Sequence, residues 1–225
     1  MSVLTPGVHH HVLPTIAIHV MDAPLPGPTV IIQGGIHGDE IAGVHALQEL
    51  LEDGLQPRRG RLIVIPVMNP GAYRAQERRA PGGLDLNRCF PGDLRSPELE
   101  HRLAGHFMAL VQSEKPTLVA TLHESKTRYS PDVNPSFGQT LVYGVKPVPP
   151  ALSHVVERLN EAKATDQETW ATHFYPVSTS STEVIVDAVG CVGTCVETWM
   201  GFPIERRVEM QKEVVLHLLR EFEVL

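Results

Sequence analysis

The sequence predicts an α/β domain in which a mixed, mainly parallel central sheet is flanked by helices on both faces, as a three-layer sandwich. Short apolar segments alternate along the chain with segments of helical periodicity. The short segments are apolar throughout, which is typical of parallel strands that are buried on both faces. A length of 225 residues, with no linker or internal repeat, suits one domain, so residues 1–225 are predicted to form a single domain.

The first half of the chain provides two of the predicted strands. Residues 29–33 are apolar and end at a pair of glycines, and residues 61–67 form a second apolar run. Between them, residues 39–51 carry apolar side chains at helical spacing, which predicts an amphipathic helix. Residues 70–95 are rich in Gly, Pro and Arg and show no period, so they are predicted to form a long loop of the kind that usually has a function.

The second half of the chain begins with a helix signal. Ser96 is predicted to cap a helix that has Pro97 in its first turn and continues to about Gln112. The remaining predicted elements are strands at residues 117–122, 140–143 and 193–198 and helices at residues 150–163 and 204–222.

Composition and charge exclude several functional classes. The net charge of -7 and the lack of a long basic cluster argue against nucleic-acid binding, and no apolar run approaches the roughly 20 residues that span a bilayer. Three cysteines make no disulfide framework and suit a reducing cytoplasm, where we expect the protein. The N-terminus lacks the pattern of a secretory signal. The histidines at residues 9–11 are predicted to lie in an N-terminal strand instead of a metal site.

The strongest candidate site lies where the first strand turns into the first helix. His37 and Glu40 are three residues apart, so at the start of a helix they can point the same way. One imidazole and one carboxylate suit zinc, whose catalytic sites typically have three protein ligands. His123 is the best third ligand because it follows a buried strand that opens onto the same edge of the sheet. Taken alone, a His-x-x-Glu pair is common and His123 could be a hydrogen-bonded histidine at a strand end.

Two further signals gain weight only beside this site. Arg88 can hold a carboxylate with two parallel hydrogen bonds, and Asn87 adds an amide donor. Glu197 follows a late strand and can act as a general base if it lies near the metal. Without the candidate metal site, Asn87 and Arg88 would be interpreted as part of a solvated loop, and Glu197 as a solvated residue at the end of a strand.

Four motifs in this order resemble one enzyme family. GGIHGDE (34–40), GLDLNRCFPGD (83–93), TLHES (121–125) and CVETW (195–199) are similar to motifs of the succinylglutamate desuccinylase/aspartoacylase branch of the zinc carboxypeptidase superfamily. The resemblance covers roughly residues 28 to 205 and implies a zinc carboxypeptidase-like fold.

The resemblance also implies roles for individual residues. One zinc ion would be bound by His37, Glu40 and His123, and Glu197 would be the catalytic glutamate. The substrate carboxylate would be bound by Asn87 and Arg88. An arginine that polarises the scissile carbonyl would be Arg79, with Arg78, also a candidate substrate-binding residue, as the substitute. The chain ends at Leu225, so we expect the catalytic domain without the C-terminal β-rich domain of full-length relatives, and therefore a more open site.

The expected activity is hydrolysis of an amide bond in a small molecule or short peptide with a free carboxylate. The preferred hypothesis is an N-acyl amino acid deacylase. One alternative is a metallocarboxypeptidase that acts on peptides, including cell-wall peptides. A third hypothesis, from another class, is a non-catalytic zinc or ligand-binding protein built on a hydrolase fold. Neither nucleic acid nor a membrane is an expected partner.

Overall fold

The computed structural model of the chain describes residues 16–225, so the strand predicted around residues 9–11 lies outside the described residues. Within this part of the chain, one sheet has the strand order β1-β3-β2-β4-β7-β5-β6. The strands are β1 (His19–Asp22), β2 (Leu25–Gln33), β3 (Arg59–Ile65), β4 (Leu118–Ser125), β5 (Thr140–Tyr143), β6 (Ala171–Phe174) and β7 (Val192–Trp199).

The predicted fold class is confirmed. The central strands β3, β2, β4 and β7 run parallel, and β1 and β5 join them antiparallel. Helices cover both faces of the sheet, as the continuous apolar strands predict. The helices are α1 (Ala42–Glu52), α2 (Pro70–Ala75), α3 (Leu99–Glu114), α4 (Pro150–Ala162), α5 (Ser181–Val189) and α6 (Ile204–Glu221).

Successive residues of each central strand enter two different cores. In β2, Val30 and Ile32 pack with α1, α4 and α6, whereas Ile31 between them packs with α3 and α5. All three side chains are fully buried. This arrangement follows from the period of two in a strand, because neighbouring side chains point to opposite faces of the sheet. The two cores enclose the central strands, and the carboxyl ends of these parallel strands form one edge of the sheet.

Several element predictions need correction. The first helix begins at Ala42, not at residue 39, so His37 and Glu40 lie in the loop before it. The segment predicted as one long loop contains α2, which Asn69 caps by accepting a hydrogen bond from the Ala72 amide at 3.1 Å. The short strands β1 and β6 and the helix α5 were not predicted, because four to nine residues carry little periodicity.

Close backbone contact fixes the turn that follows β2. Gly35 has a φ of +62°, a value that glycine adopts without steric cost. A Cβ at Gly38 would lie 1.9 Å from the carbonyl oxygen of Ala72, so only glycine fits against α2. These two positions bring the loop of residues 34–41 down onto α2 and over the edge of the sheet. Among the described residues, no helix has both the length and the apolar character needed to cross a lipid bilayer.

Candidate metal centre

His37, Glu40 and His123 converge at the carboxyl edge of the sheet. The Glu40 carboxylate lies between the two imidazoles: Oε1 is 2.8 Å from Nδ1 of His37, and Oε2 is 2.6 Å from Nδ1 of His123. All three side chains are buried, and their potential ligand atoms lie within 4.8 Å of one another. The sequence had suggested that His123 lies at the end of its strand, but the structure places it inside β4. The three residues that the sequence singled out for a metal are therefore brought together.

The chemistry of this cluster fits a divalent cation. Two imidazole nitrogens and one carboxylate oxygen are a common donor set for a catalytic zinc ion. Burial tends to raise the pKa of Glu40, but the two imidazoles beside it hold that pKa well below the usual range. Glu40 is therefore an anion at neutral pH, with both of its oxygens directed at histidine Nδ1 atoms. A buried anion of this kind needs a cationic partner to offset its lost hydration.

Asp85 orients His37 from the other side of the ring. Its Oδ1 lies 3.3 Å from Nε2 of His37, so a proton on Nε2 can be donated to it while Nδ1 faces Glu40. Arg78 donates to the other oxygen of Asp85 over 3.0 Å. A carboxylate on the far nitrogen of a ligand histidine is the usual second layer of a metal site. The sequence did not single out Asp85, although it lies two residues before Asn87 in the same motif.

Glu197 lies beside His123 on the neighbouring strand. The two residues are paired in the parallel register of β4 and β7, and both line the same cavity. Burial raises the pKa of Glu197 to about 7, with a further contribution from the Glu40 carboxylate, although His123, His37 and Arg78 act in the opposite direction. Its carboxylate has no hydrogen bond or ion pair within residues 16–225. A carboxyl group in this state can both accept and release a proton near neutral pH.

The cavity beside the cluster has a volume of about 330 Å³. Asn87 and Arg88 form part of its wall, as the sequence predicts for a substrate-binding pair. The Oδ1 atom of Asn87 accepts hydrogen bonds from the amide and hydroxyl of Ser181 at 3.0 and 3.2 Å. Its NH₂ group is therefore left as the donor available to a ligand. The guanidinium of Arg88 donates to the Asn87 carbonyl at 2.9 Å and has no acidic partner in the described chain.

The two candidate arginines are placed differently. Arg78 lines the cavity, and its guanidinium lies 3.4 Å from Nδ1 of His37 and 3.7 Å from Oε1 of Glu40. Arg79 is exposed and does not line this cavity. The turn after α2 thus directs Arg78 toward the cavity, whereas Arg79, which the motif spacing favoured, points elsewhere.

A buried ion pair supports the centre from behind. The fully buried Glu124 carboxylate accepts hydrogen bonds from Arg207 at 2.6 Å and from the amide of Ala42 at 2.9 Å. It thereby caps α1, whose own N-cap residue provides no side-chain hydrogen bond. One turn along α6, the Gln211 amide donates to the carbonyl of His123 at 2.8 Å. These contacts fix the first helix and the ligand strand against α6.

Replacing Arg207 with Met should lower the free energy of unfolding by about 3 kcal/mol, because the buried Glu124 carboxylate would lose its charged partner. Burial already raises the pKa of Glu124, and Arg207 counteracts part of that shift. Urea unfolding of the two proteins measures the difference. Arg220→Met, on an exposed position of the same helix, is the control and should change stability by only about 0.5 kcal/mol. Equal effects of the two substitutions would mean that the pair contributes nothing.

Part of the chain is similar to proteins of one known family. Residues 26–133 match the model of the succinylglutamate desuccinylase/aspartoacylase catalytic domain. An N-alpha-acetyl-L-2,4-diaminobutyric acid deacetylase from Halomonas elongata is 46% identical over 69 residues, which are 30% of this chain and 20% of that protein. A succinylglutamate desuccinylase from Burkholderia pseudomallei is 45% identical over 67 residues, 28% of this chain and 18% of that protein. The matched segments are thus about a fifth of the length of these relatives.

Solved structures share the fold over nearly the whole chain. The product-bound cell shape determinant protein from Helicobacter pylori superposes with a TM-score of 0.82 at 18% identity, over 93% of this chain and 56% of that one. A succinylglutamate desuccinylase/aspartoacylase from Rhodobacter sphaeroides gives a TM-score of 0.71 at 26% identity, over 93% of this chain and 60% of that one. The chain therefore spans a little over half the length of each of these structures.

Proposed function

We propose that the chain, whose residues 26–133 match the succinylglutamate desuccinylase/aspartoacylase catalytic domain as the sequence predicted, is a zinc-dependent hydrolase that cleaves the amide bond of an N-acyl amino acid. The observation that carries this proposal is the buried cluster of His37, Glu40 and His123 beside Glu197 in one cavity. The names of the Halomonas and Burkholderia relatives both describe removal of an acyl group from an amino acid.

Zinc bound by His37, Glu40 and His123 would provide Lewis-acid chemistry, making a water molecule more acidic and polarising a carbonyl group. Glu197 takes the proton from the attacking water and later gives it to the leaving amine. Its raised pKa of about 7 suits both transfers, since each step needs the opposite protonation state. Asp85 keeps the His37 ring in the orientation that directs Nδ1 toward Glu40.

Three groups of the cavity wall orient the substrate. Arg88 and the free NH₂ of Asn87 bind the substrate carboxylate and so set which bond reaches Glu197. Arg78, whose guanidinium lies beside His37 and Glu40, stabilises the negative charge that develops on the carbonyl oxygen. Arg78 is held in place by its ion pair with Asp85 at 3.0 Å.

A substrate panel tests this function. Zinc-loaded protein should hydrolyse at least one member of a set of N-acetyl and N-succinyl amino acids. Converting the α-carboxylate of that substrate to its methyl ester should lower kcat/KM by about 10- to 100-fold, because the ester loses hydrogen bonds that a charged carboxylate would make with Arg88 and Asn87. Arg88→Ala should remove most of this difference, whereas Arg95→Ala, on an exposed loop residue that does not line the cavity, should preserve it.

Other outcomes of the same panel would contradict the proposal. If the protein hydrolyses no member of the panel but does hydrolyse short peptides with a free C-terminal carboxylate, added as a second set, it is a carboxypeptidase. Tight zinc binding with no hydrolysis of any panel member would identify a binding protein.

A further inference from the structure

The charged groups of the cavity wall are not all balanced by one another. Three Arg or Lys side chains line it: Arg78 pairs with Asp85, Lys126 lies 3.7 Å from Asp39, and Arg88 has no acidic partner within residues 16–225. Among the acidic residues of the wall, Glu183 likewise has no oppositely charged partner in that part of the chain. Apart from Glu197, the cavity therefore presents one unmatched cation and one unmatched anion.

Glu183 lies in the first turn of α5, three residues after the N-cap residue Ser180. The carboxylate of a glutamate at this position commonly accepts a hydrogen bond from the backbone N–H of the N-cap residue in a capping box. That bond is not made here, because the Ser180 N–H donates to the carbonyl of Val177 at 2.8 Å. The carboxylate makes no hydrogen bond or ion pair in the described chain, and its Oε2 atom is shielded from solvent. Helix capping thus does not account for where this carboxylate lies.

Glu183 and Gly144 lie next to each other in the wall of the cavity. Gly144 packs directly against Glu183: a Cβ atom added there would lie 3.3 Å from the Cβ of Glu183 and 3.6 Å from its Oε2, so a side chain at this position would crowd the carboxylate. The next basic side chain along the chain from Gly144, Lys146, lies 4.3 Å from the ring centroid of Phe174 and is engaged there. A partly shielded carboxylate without a charged partner is energetically costly, and a cationic group of a ligand that enters the cavity would provide that partner.

Glu183 is also fixed relative to the proposed carboxylate site. Ser181, two residues earlier on the same helix, holds the Oδ1 atom of Asn87 through two hydrogen bonds. Thr182 contacts the Cys195 sulfur at 2.9 Å on β7, two residues before Glu197. The first turn of α5 therefore connects the Asn87–Arg88 segment with the strand that carries Glu197. A substrate bound by Arg88 would meet the Glu183 carboxylate on the same wall.

We propose that Glu183 binds a positively charged group of the substrate, so that the enzyme prefers N-acyl amino acids whose side chain carries an ammonium group. This preference presupposes the proposed deacylase function and specifies its substrate class. Arg88 recognises the α-carboxylate and Glu183 the side-chain cation, and together they leave the amide bond as the neutral part of the ligand. The alternative, that Glu183 only stabilises the positive end of the α5 dipole, predicts no effect on substrate choice.

Matched substrate pairs test this proposal. N-acylornithine is compared with N-acylnorleucine, in which a methyl group replaces the ammonium, and N-acyllysine with its methyl-ended isostere. We expect the wild-type enzyme to favour the cationic member of at least one pair by about tenfold or more in kcat/KM, the effect of a charge-assisted hydrogen bond. Glu183→Gln should reduce that ratio to near one, and Asp187→Asn, one turn further along α5 and exposed, should leave it unchanged.

Binding measured without turnover separates this proposal from the proposed function. Calorimetric titration of the same pairs into a Glu197→Gln protein should show tighter binding of the cationic member. Equal kcat/KM values within each pair, or an unchanged ratio in Glu183→Gln, would overturn the role of Glu183 while leaving the deacylase function in place. Preferential binding of the cationic member without any hydrolysis by the wild-type protein would support Glu183 and contradict the deacylase function.

Discussion

Glu197→Gln is expected to lower kcat by about 10²- to 10⁴-fold, the contribution of a positioned general base. Glu197 is paired in register with His123 and has no partner among the described residues. Its pKa of about 7 suits a group that takes and returns a proton. Glutamine has nearly the same shape but cannot accept that proton, so substrate binding should be affected much less than turnover. Steady-state kinetics with the zinc-loaded variant measures the loss.

The control for this substitution is Glu205→Gln, on an exposed position of α6 that does not line the cavity. Its kcat should stay within about twofold of the wild-type value, because substitutions at exposed positions rarely affect the stability of the fold. Near-normal turnover in Glu197→Gln would end the assignment of this residue as the base. Loss of bound zinc together with turnover would show instead that Glu197 is a metal ligand.

Removal of zinc is expected to abolish turnover, and readdition of one equivalent should restore it. His123→Ala should bind zinc too weakly to retain it through dialysis, since it would leave only two protein ligands. Asp85→Asn should weaken zinc affinity by about 10- to 100-fold without abolishing binding, because this carboxylate only orients His37. Zinc per chain after dialysis and competition with a chromophoric chelator give the two measurements.

The control for the histidine substitution is His154→Ala. His154 lies on α4 and is not one of the proposed metal ligands. Its imidazole is exposed and lies 3.0 Å from Glu221. It should retain a full equivalent of zinc. Turnover that survives complete removal of metal, or full zinc retention in His123→Ala, would contradict the proposed centre.

The convergence of His37, Glu40 and His123 was predictable because topology brings residues near the ends of parallel strands together. Parallel strands share one carboxyl edge, so two apolar runs followed by His37 and His123 already implied proximity. The apolar strands likewise predicted the layered fold, since only a sheet buried on both faces needs them. The position of His123 within β4 could not be read from the sequence, because strand ends depend on the pairing partners of each residue.

The supporting residues were not predictable in the same way. Arg207 and Gln211 lie more than 80 residues after Glu124 and His123, the residues that they contact. They reach the site only because α6 packs against the sheet there. Choosing Arg78 over Arg79 required the turn after α2, which periodicity does not specify. For α5, by contrast, a local signal existed: Ser180 and Glu183 have the spacing of a capping box, and Gly190 ends the helix in a left-handed conformation.

The central claim is that His37, Glu40 and His123 bind one metal ion. A crystal structure of the zinc-loaded protein, with anomalous diffraction recorded at the zinc edge, tests it directly. We predict a single anomalous peak at about 2.0–2.2 Å from Nδ1 of His37, Nδ1 of His123 and a carboxylate oxygen of Glu40. A zinc-saturated crystal with no peak at these three atoms, or with its peak on other residues, would contradict the account.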